Sequence, residues 1–287
     1  SMTTDFKKQV QESLRTFIAQ KGSQNKAANS LAGVSSALLS QIMNDNWDNI
    51  SEAMWRNIAS QIGASAKTWS FVETTDYKLI TNLLTDAQEN ANVFAMTGDA
   101  GSGKSKSFDL YIQDHKNAYL LSCAEYWNRK EFLVQLLTAM GVDYTGYTVA
   151  EMMNEIVKKL KSSENPLIIL DEADKLPDTV LYFFITLYNR LEDHCGIILC
   201  ATDHLSKRIQ KGIKLNRKGY KEINSRIGRK FIELRGVNAT DVAQICMANG
   251  VDDTKEIKRI FNECDGDLRR VKRSIHAYKN RKVNEQD

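Results

Sequence analysis

The sequence predicts an α/β core built on a parallel sheet, preceded by an all-α domain and followed by a small α-helical one. Three observations carry that prediction. Up to about residue 65, apolar positions recur at helical spacing. From there to Gly236, short apolar runs alternate with helical stretches, the pattern of parallel strands joined by crossover helices. Beyond Gly236 the spacing is helical again. At 287 residues the chain is long enough for this division and for a core that needs no covalent staples. The expected domains are 1–65, 66–236 and 237–287.

In the first domain Phe6, Val10, Leu14, Phe17 and Ile18 lie on one helical face, and Gly22 closes that helix. A second helix is expected from Gln24 to Ala32, broken by Gly33. Ser35 or Ser36 caps a third, which carries Leu38, Leu39 and Ile42. A fourth runs from Ser51 to Gln61 with Met54, Trp55 and Ile58 inward. The turn Gly33-Val34-Ser35-Ser36 before a short helix is how many helix-turn-helix DNA readers present their recognition helix. The usual small residue four places before the turn glycine is replaced by Asn29, with Ala28 five before, as a one-residue insertion would produce. A helical protein-interaction bundle is the alternative.

Residues 65–70 read as a linker. The expected strands are Asn92–Met96, Ala118–Cys123, Leu167–Leu170, Gly196–Cys200 and Lys230–Leu234. Glycine-rich and acidic signals follow these runs, where open α/β sheets place their ligands.

The first signal is Gly98-Asp99-Ala100-Gly101-Ser102-Gly103-Lys104-Ser105, a full phosphate-loop pattern after a strand and before a helix. Its glycines let backbone N–H groups turn inward around phosphates. Lys104 would reach the β- and γ-phosphates of ATP, and the Ser105 hydroxyl would ligate Mg²⁺. The second signal is Leu167-Ile168-Ile169-Leu170-Asp171-Glu172. Asp171, at the end of an apolar strand, suits Mg²⁺ held through its water shell. Glu172 suits the polarising of an attacking water. Together they point to nucleotide hydrolysis.

Other totals narrow the setting. With 42% hydrophobic and 26% charged residues, the composition is that of a globular domain. No apolar run approaches the length of a membrane span, so no membrane partner is expected. Five cysteines (Cys123, Cys195, Cys200, Cys246, Cys264) form no CxxC pair, which fits a reducing, cytoplasmic location. The four histidines lack metal-ligand spacing. Net charge is only +3, but residues 207–221 hold seven basic side chains and no acidic one. Lys207, Arg208, Lys211, Lys214, Arg217, Lys218 and Lys221 could neutralise the phosphates of double-stranded DNA without reading its sequence. A second basic stretch spans 268–282. In the loop after the second strand, Trp127 reads as core.

These motifs, together with residues 33–45, Phe71-Val72-Glu73-Thr74 and Ile223-Asn224-Ser225-Arg226, resemble the initiator-like clade of AAA+ ATPases. Within it the chain is most similar to the phage Mu B-like target-DNA ATPases of transposition. The resemblance spans nearly the whole chain and implies a P-loop AAA+ core, a helix-turn-helix front domain and a helical lid. It further implies that Thr202 senses the γ-phosphate, that Arg226 is an arginine finger completing a neighbour's site, and that Arg269 is the lid arginine on bound nucleotide. Such a protein would form an oligomer or helical filament on largely nonspecific DNA, in a bacterial or phage-infected cell. It would recruit a transposase and disassemble on ATP hydrolysis. A loader for replication or plasmid maintenance, and a repressor switched by nucleotide, are the rival readings.

Overall fold

The computed structural model describes residues 4–64, 69–99, 101–227 and 231–284. Ala100 of the phosphate loop, most of the linker, and Lys230 at the head of the last expected strand lie outside the described residues.

Helices α1 (Thr4–Lys21), α2 (Gln24–Asn29), α3 (Ser36–Met43) and α4 (Glu52–Ile62) form a bundle around Val10, Leu14, Leu39, Ile42, Trp55 and Ile58. The sequence places its caps well: Ser35 accepts from the Leu38 N–H and Ser51 from the Met54 N–H. Helix α2 is shorter than its pattern suggests. Gln61 accepts from the Ala32 N–H at 2.7 Å, and Gln61 and Asn57 both donate to the Ala32 carbonyl, so α4 draws the chain out of the helix. Ala28 is buried and Asn29 exposed, so the small inward residue does stand five places before Gly33.

The core is one parallel sheet of β1 (Val93–Thr97), β2 (Ala118–Ser122), β3 (Leu167–Asp171), β4 (Gly196–Ala201) and β5 (Phe231–Glu233), in the order β2-β3-β4-β1-β5. Successive residues of β3 and β4 serve opposite faces, as the twofold repeat of a strand requires. Ile169, Ile198 and Cys200 meet α5 (Thr75–Asn90) and α6 (Lys104–Asp114) through Ile80, Leu84 and Phe108. Ile168, Leu170, Ile197 and Leu199 face the other way. There they pack with Phe132 of α7 (Arg129–Ala139), Ile156 of α8 (Val149–Ser162), Phe184 of α9 (Asp178–Leu191) and Leu205 of α10 (Asp203–Lys214). Helix α11 (Tyr220–Arg226) closes this layer. Trp127 is buried here, as its sequence context suggests. Burial on both faces explains why β3 and β4 read as unbroken apolar runs. Because all strands are parallel, the loops after β1, β3 and β4 open along one edge.

The C-terminal helices α12 (Ala239–Ala248), α13 (Thr254–Cys264) and α14 (Leu268–Asn284) have their own cluster around Val242, Ile245, Ile260, Val271 and Ile275. Trp69 and Val72 pack onto it. The buried Asn249 side chain clasps both the N–H and the carbonyl of Ser70, at 2.9 and 3.0 Å. Asp76, at the start of α5, accepts from the backbone N–H groups of Arg235 and Gly236. The segment before the core therefore joins the C-terminal helices to the sheet. At the opposite side, the Lys21 ammonium donates to the Ala139 carbonyl at 2.6 Å and docks the N-terminal bundle on the core.

Candidate functional site

The glycine-rich loop leaves β1 beside β4, with the Gly98 N–H donating to the Ala201 carbonyl at 3.1 Å. Gly101 (φ 90°) and Gly103 (φ 85°) take left-handed backbone geometry that favours glycine. Lys104 opens α6 and is only 9% exposed, yet among the described residues its ammonium has hydrogen bonds only to the Gly98 and Asp99 carbonyls, at 3.4 and 3.3 Å. Those are long contacts for a buried cation. The Ser102 hydroxyl nearby is buried and has no partner among the described residues. A buried cation and hydroxyl with unused donor capacity, inside a loop of backbone amides, fit phosphate oxygens.

Strand β3 delivers Asp171 to the same place across the intervening β4. The Ser105 hydroxyl donates to one Asp171 oxygen at 2.8 Å, and the Glu172 N–H donates to the other at 2.9 Å. Burial raises the Asp171 pKa, while the Ser105 bond and the Lys104 charge act against that rise. Among the described residues no cluster of three His, Cys, Asp or Glu side chains could hold a metal. The Ser105 hydroxyl and the Asp171 carboxylate, side by side, suit Mg²⁺, which takes one or two protein ligands and completes its shell with phosphate and water.

Glu172 is a non-glycine residue at φ 55°, a conformation costing about 1–3 kcal/mol that tends to persist where function needs it. Its carboxylate pairs with Lys175 at 2.9 Å. Glu172 also lines a cavity of about 220 Å³ with Gly101, Gly103, Lys104, Ser105, Lys106, Leu268 and Arg269. Four residues read from distant motifs, Lys104, Ser105, Glu172 and Arg269, thus share one cavity.

The C-terminal helices reach this cavity through contacts that the sequence did not suggest. The Leu268 N–H donates to the Gly101 carbonyl at 2.8 Å, and Asp267 accepts from the Arg269 N–H at 2.7 Å. A Cβ on Gly101 would lie 2.1 Å from an Asp267 carboxylate oxygen. Gly101 therefore serves the close approach of the lid as well as the loop's own turn.

Thr202 stands one step back from the cavity. It caps α10, and its hydroxyl donates to the Asp174 carboxylate at 2.9 Å, three residues beyond Asp171. Arg226 lies elsewhere, at the end of α11. It pairs with Glu192 at 2.8 Å and sits over the Tyr188 ring. It does not line the cavity of its own chain.

Helix α10 turns Leu205, Ile209 and Gly212 inward and Lys207, Lys211 and Lys214 outward, at helical spacing on one exposed face. Lys207 pairs with Asp203, Lys218 lies over the Tyr182 ring, and Arg217 faces Asp178 at 4.0 Å. Lys221 is exposed on α11. Arg208 departs from the expected set of DNA contacts. One position round the helix from Lys207, it points inward and donates to the carbonyls of Asp174 and Leu176, at 3.1 and 3.0 Å.

All five cysteines are buried, and burial raises the thiol pKa of Cys123, Cys195 and Cys200, which disfavours the reactive thiolate at those three. No helix among the described residues is long and apolar enough to cross a membrane. A search of curated proteins finds no match to the chain. Residues 85–209, from the end of α5 through the phosphate loop and acid pair into α10, match the family model of the AAA domain, and this supports an AAA+ ATPase.

Proposed function

We propose that the protein is an ATP-dependent DNA-binding ATPase that assembles on double-stranded DNA with little sequence preference and delivers it to a transposase. The observation that carries the DNA reading is the placement of α10. This helix is capped by Thr202, which bonds Asp174 in the turn Ala173–Lys175 after Glu172, and it carries Lys207, Lys211 and Lys214 along its exposed face. Such a stripe gains affinity from counterion release on any duplex. Helix α3 has no charged side chain, so it offers no phosphate neutralisation of its own. The delivery role rests on the resemblance of the sequence to target-DNA ATPases of transposition.

In this reading the loop amides and Lys104 bind the β- and γ-phosphates. Ser105 and Asp171 would hold Mg²⁺, which when bound neutralises charge on the phosphate oxygens. Glu172, once parted from Lys175, accepts a proton from the attacking water. Arg269 brings positive charge from the lid. Arg226 leaves Glu192 and enters the site of the next subunit in an oligomer or helical filament.

The test is ATP turnover measured against increasing random-sequence duplex DNA, with electron microscopy of the same samples. Turnover that rises with DNA, together with ordered assemblies on it, supports the reading. Turnover indifferent to DNA contradicts it.

A further inference from the structure

We propose that Arg208 is a positioning residue through which an anion bound on the basic face acts on the catalytic turn. It is not itself a phosphate contact. The proposal rests on the reading of residues 207–221 as a polyanion-binding face.

The turn Ala173–Lys175 follows Glu172 directly. Three contacts fix it: Lys175 to the Glu172 carboxylate, Thr202 to the Asp174 carboxylate, and Arg208 to the Asp174 and Leu176 carbonyls. Arg208 is the one of these that comes from the inner side of the basic helix. A movement of α10 therefore reaches the turn at two points, through Thr202 at its N-terminus and through the Arg208 guanidinium further along.

That guanidinium is incompletely satisfied. Its Nε and Nη2 are buried with no hydrogen-bond partner, an arrangement that is costly in a protein interior. The nearest acid is Asp178, whose oxygen lies 3.6 Å from Nε. Asp178 is already shared: the Tyr220 hydroxyl donates to it at 2.5 Å and Arg217 faces it at 4.0 Å. Arg217 is exposed in the basic loop. One carboxylate thus stands between an exposed guanidinium and a buried one.

A phosphate that draws Arg217 away leaves Asp178 to Arg208. Closing the 3.6 Å gap to hydrogen-bond distance pulls the guanidinium towards α9 and off the Asp174 and Leu176 carbonyls. The turn is then free to shift, and Glu172 can exchange Lys175 for water. No bond is made or broken in this relay. It is a re-pairing of charges between two arrangements of one turn.

Three variants of the full chain test it: Arg208→Lys, Arg208→Met and Asp178→Asn. Lysine keeps the charge and can still reach the two carbonyls, but it has no second nitrogen for Asp178. Turnover is read with and without random-sequence duplex, alongside the KM for ATP and the salt dependence of DNA binding. For Arg208→Lys and Asp178→Asn, the KM and the salt slope should match those of the parent. The factor by which DNA raises kcat should fall by about fivefold or more, the range of an ordinary coupling between sites.

Asp178→Asn leaves the carbonyl contacts in place, so it decides the matter even if Arg208→Met fails to fold. A salt slope smaller by about 0.9 in Arg208→Met, with DNA stimulation retained by the other two variants, makes Arg208 a phosphate contact and overturns the proposal. Full stimulation in all three variants overturns it as well. A parent protein whose turnover ignores DNA removes the polyanion reading and this relay with it. A stimulated parent with equally stimulated variants removes the relay alone.

Discussion

Lys104 and Glu172 line the same cavity, but substitution should separate them. Lys104→Ala removes the buried charge that faces the phosphates, and ATP affinity should fall by about a hundredfold or more in equilibrium binding. Glu172→Gln keeps that charge, so ATP should bind as before while turnover falls by about 10²–10⁴-fold. Equal turnover in Glu172→Gln and the parent would remove Glu172 from the reaction. Both residues were legible in the sequence because each belongs to a short motif whose spacing alone sets its place. The pairing of Glu172 with Lys175 was nearly legible too, since it is three residues long. Arg208 was not. In a run of seven basic residues, only the packing of α10 against the catalytic turn decides which side chain points inward.

Elements meet at two junctions that make separate predictions. At the lid, Gly101→Ala would place a methyl group against Asp267 and force a left-handed alanine. ATP affinity should drop by about tenfold or more, a loss of about 1.4 kcal/mol, measurable by titration. At the bundle, burial lowers the Lys21 pKa to about 8 from its ordinary 10.5. Between those values the unfolded chain binds more protons than the folded one, so stability should rise with pH across that window. Lys21→Met should melt higher than the parent at pH 7, and its advantage should narrow as pH approaches 10. Thermal melts across that range decide the point. On α10 and the loop after it, neutralising Lys211, Lys214 and Lys218 together should reduce the slope of log affinity against log salt by about 2 to 3. An unchanged slope would show that these lysines face only solvent. The strands were read from sequence to within a residue or so, because burial on both faces leaves an apolar run with clear ends. Helix α2 was read too long, because Asn57 and Gln61, far along the chain, end it. Local spacing carries no trace of such contacts, and the same holds for the lid's grip on Gly101.

For the molecule as a whole, the proposed function requires a complete catalytic site between subunits on DNA and not within one chain. Lys104, Ser105, Glu172 and Arg269 line one cavity, with Asp171 hydrogen-bonded to Ser105, whereas Arg226 is held apart on Glu192. Arg226→Ala should therefore bind ATP normally and lose about a thousandfold or more of its DNA-stimulated turnover, the cost of an absent arginine finger. The most direct test of the shared site mixes Arg226→Ala with Lys104→Ala chains on DNA, with a label on each to show that they bind together. Each variant alone should be inactive. In the mixture, interfaces with Lys104 from one chain and Arg226 from the other are complete, about a quarter of all interfaces in a random head-to-tail array. Turnover recovered towards that fraction of the parent's is the predicted result. Co-bound variants that stay as inactive together as they are apart would contradict it.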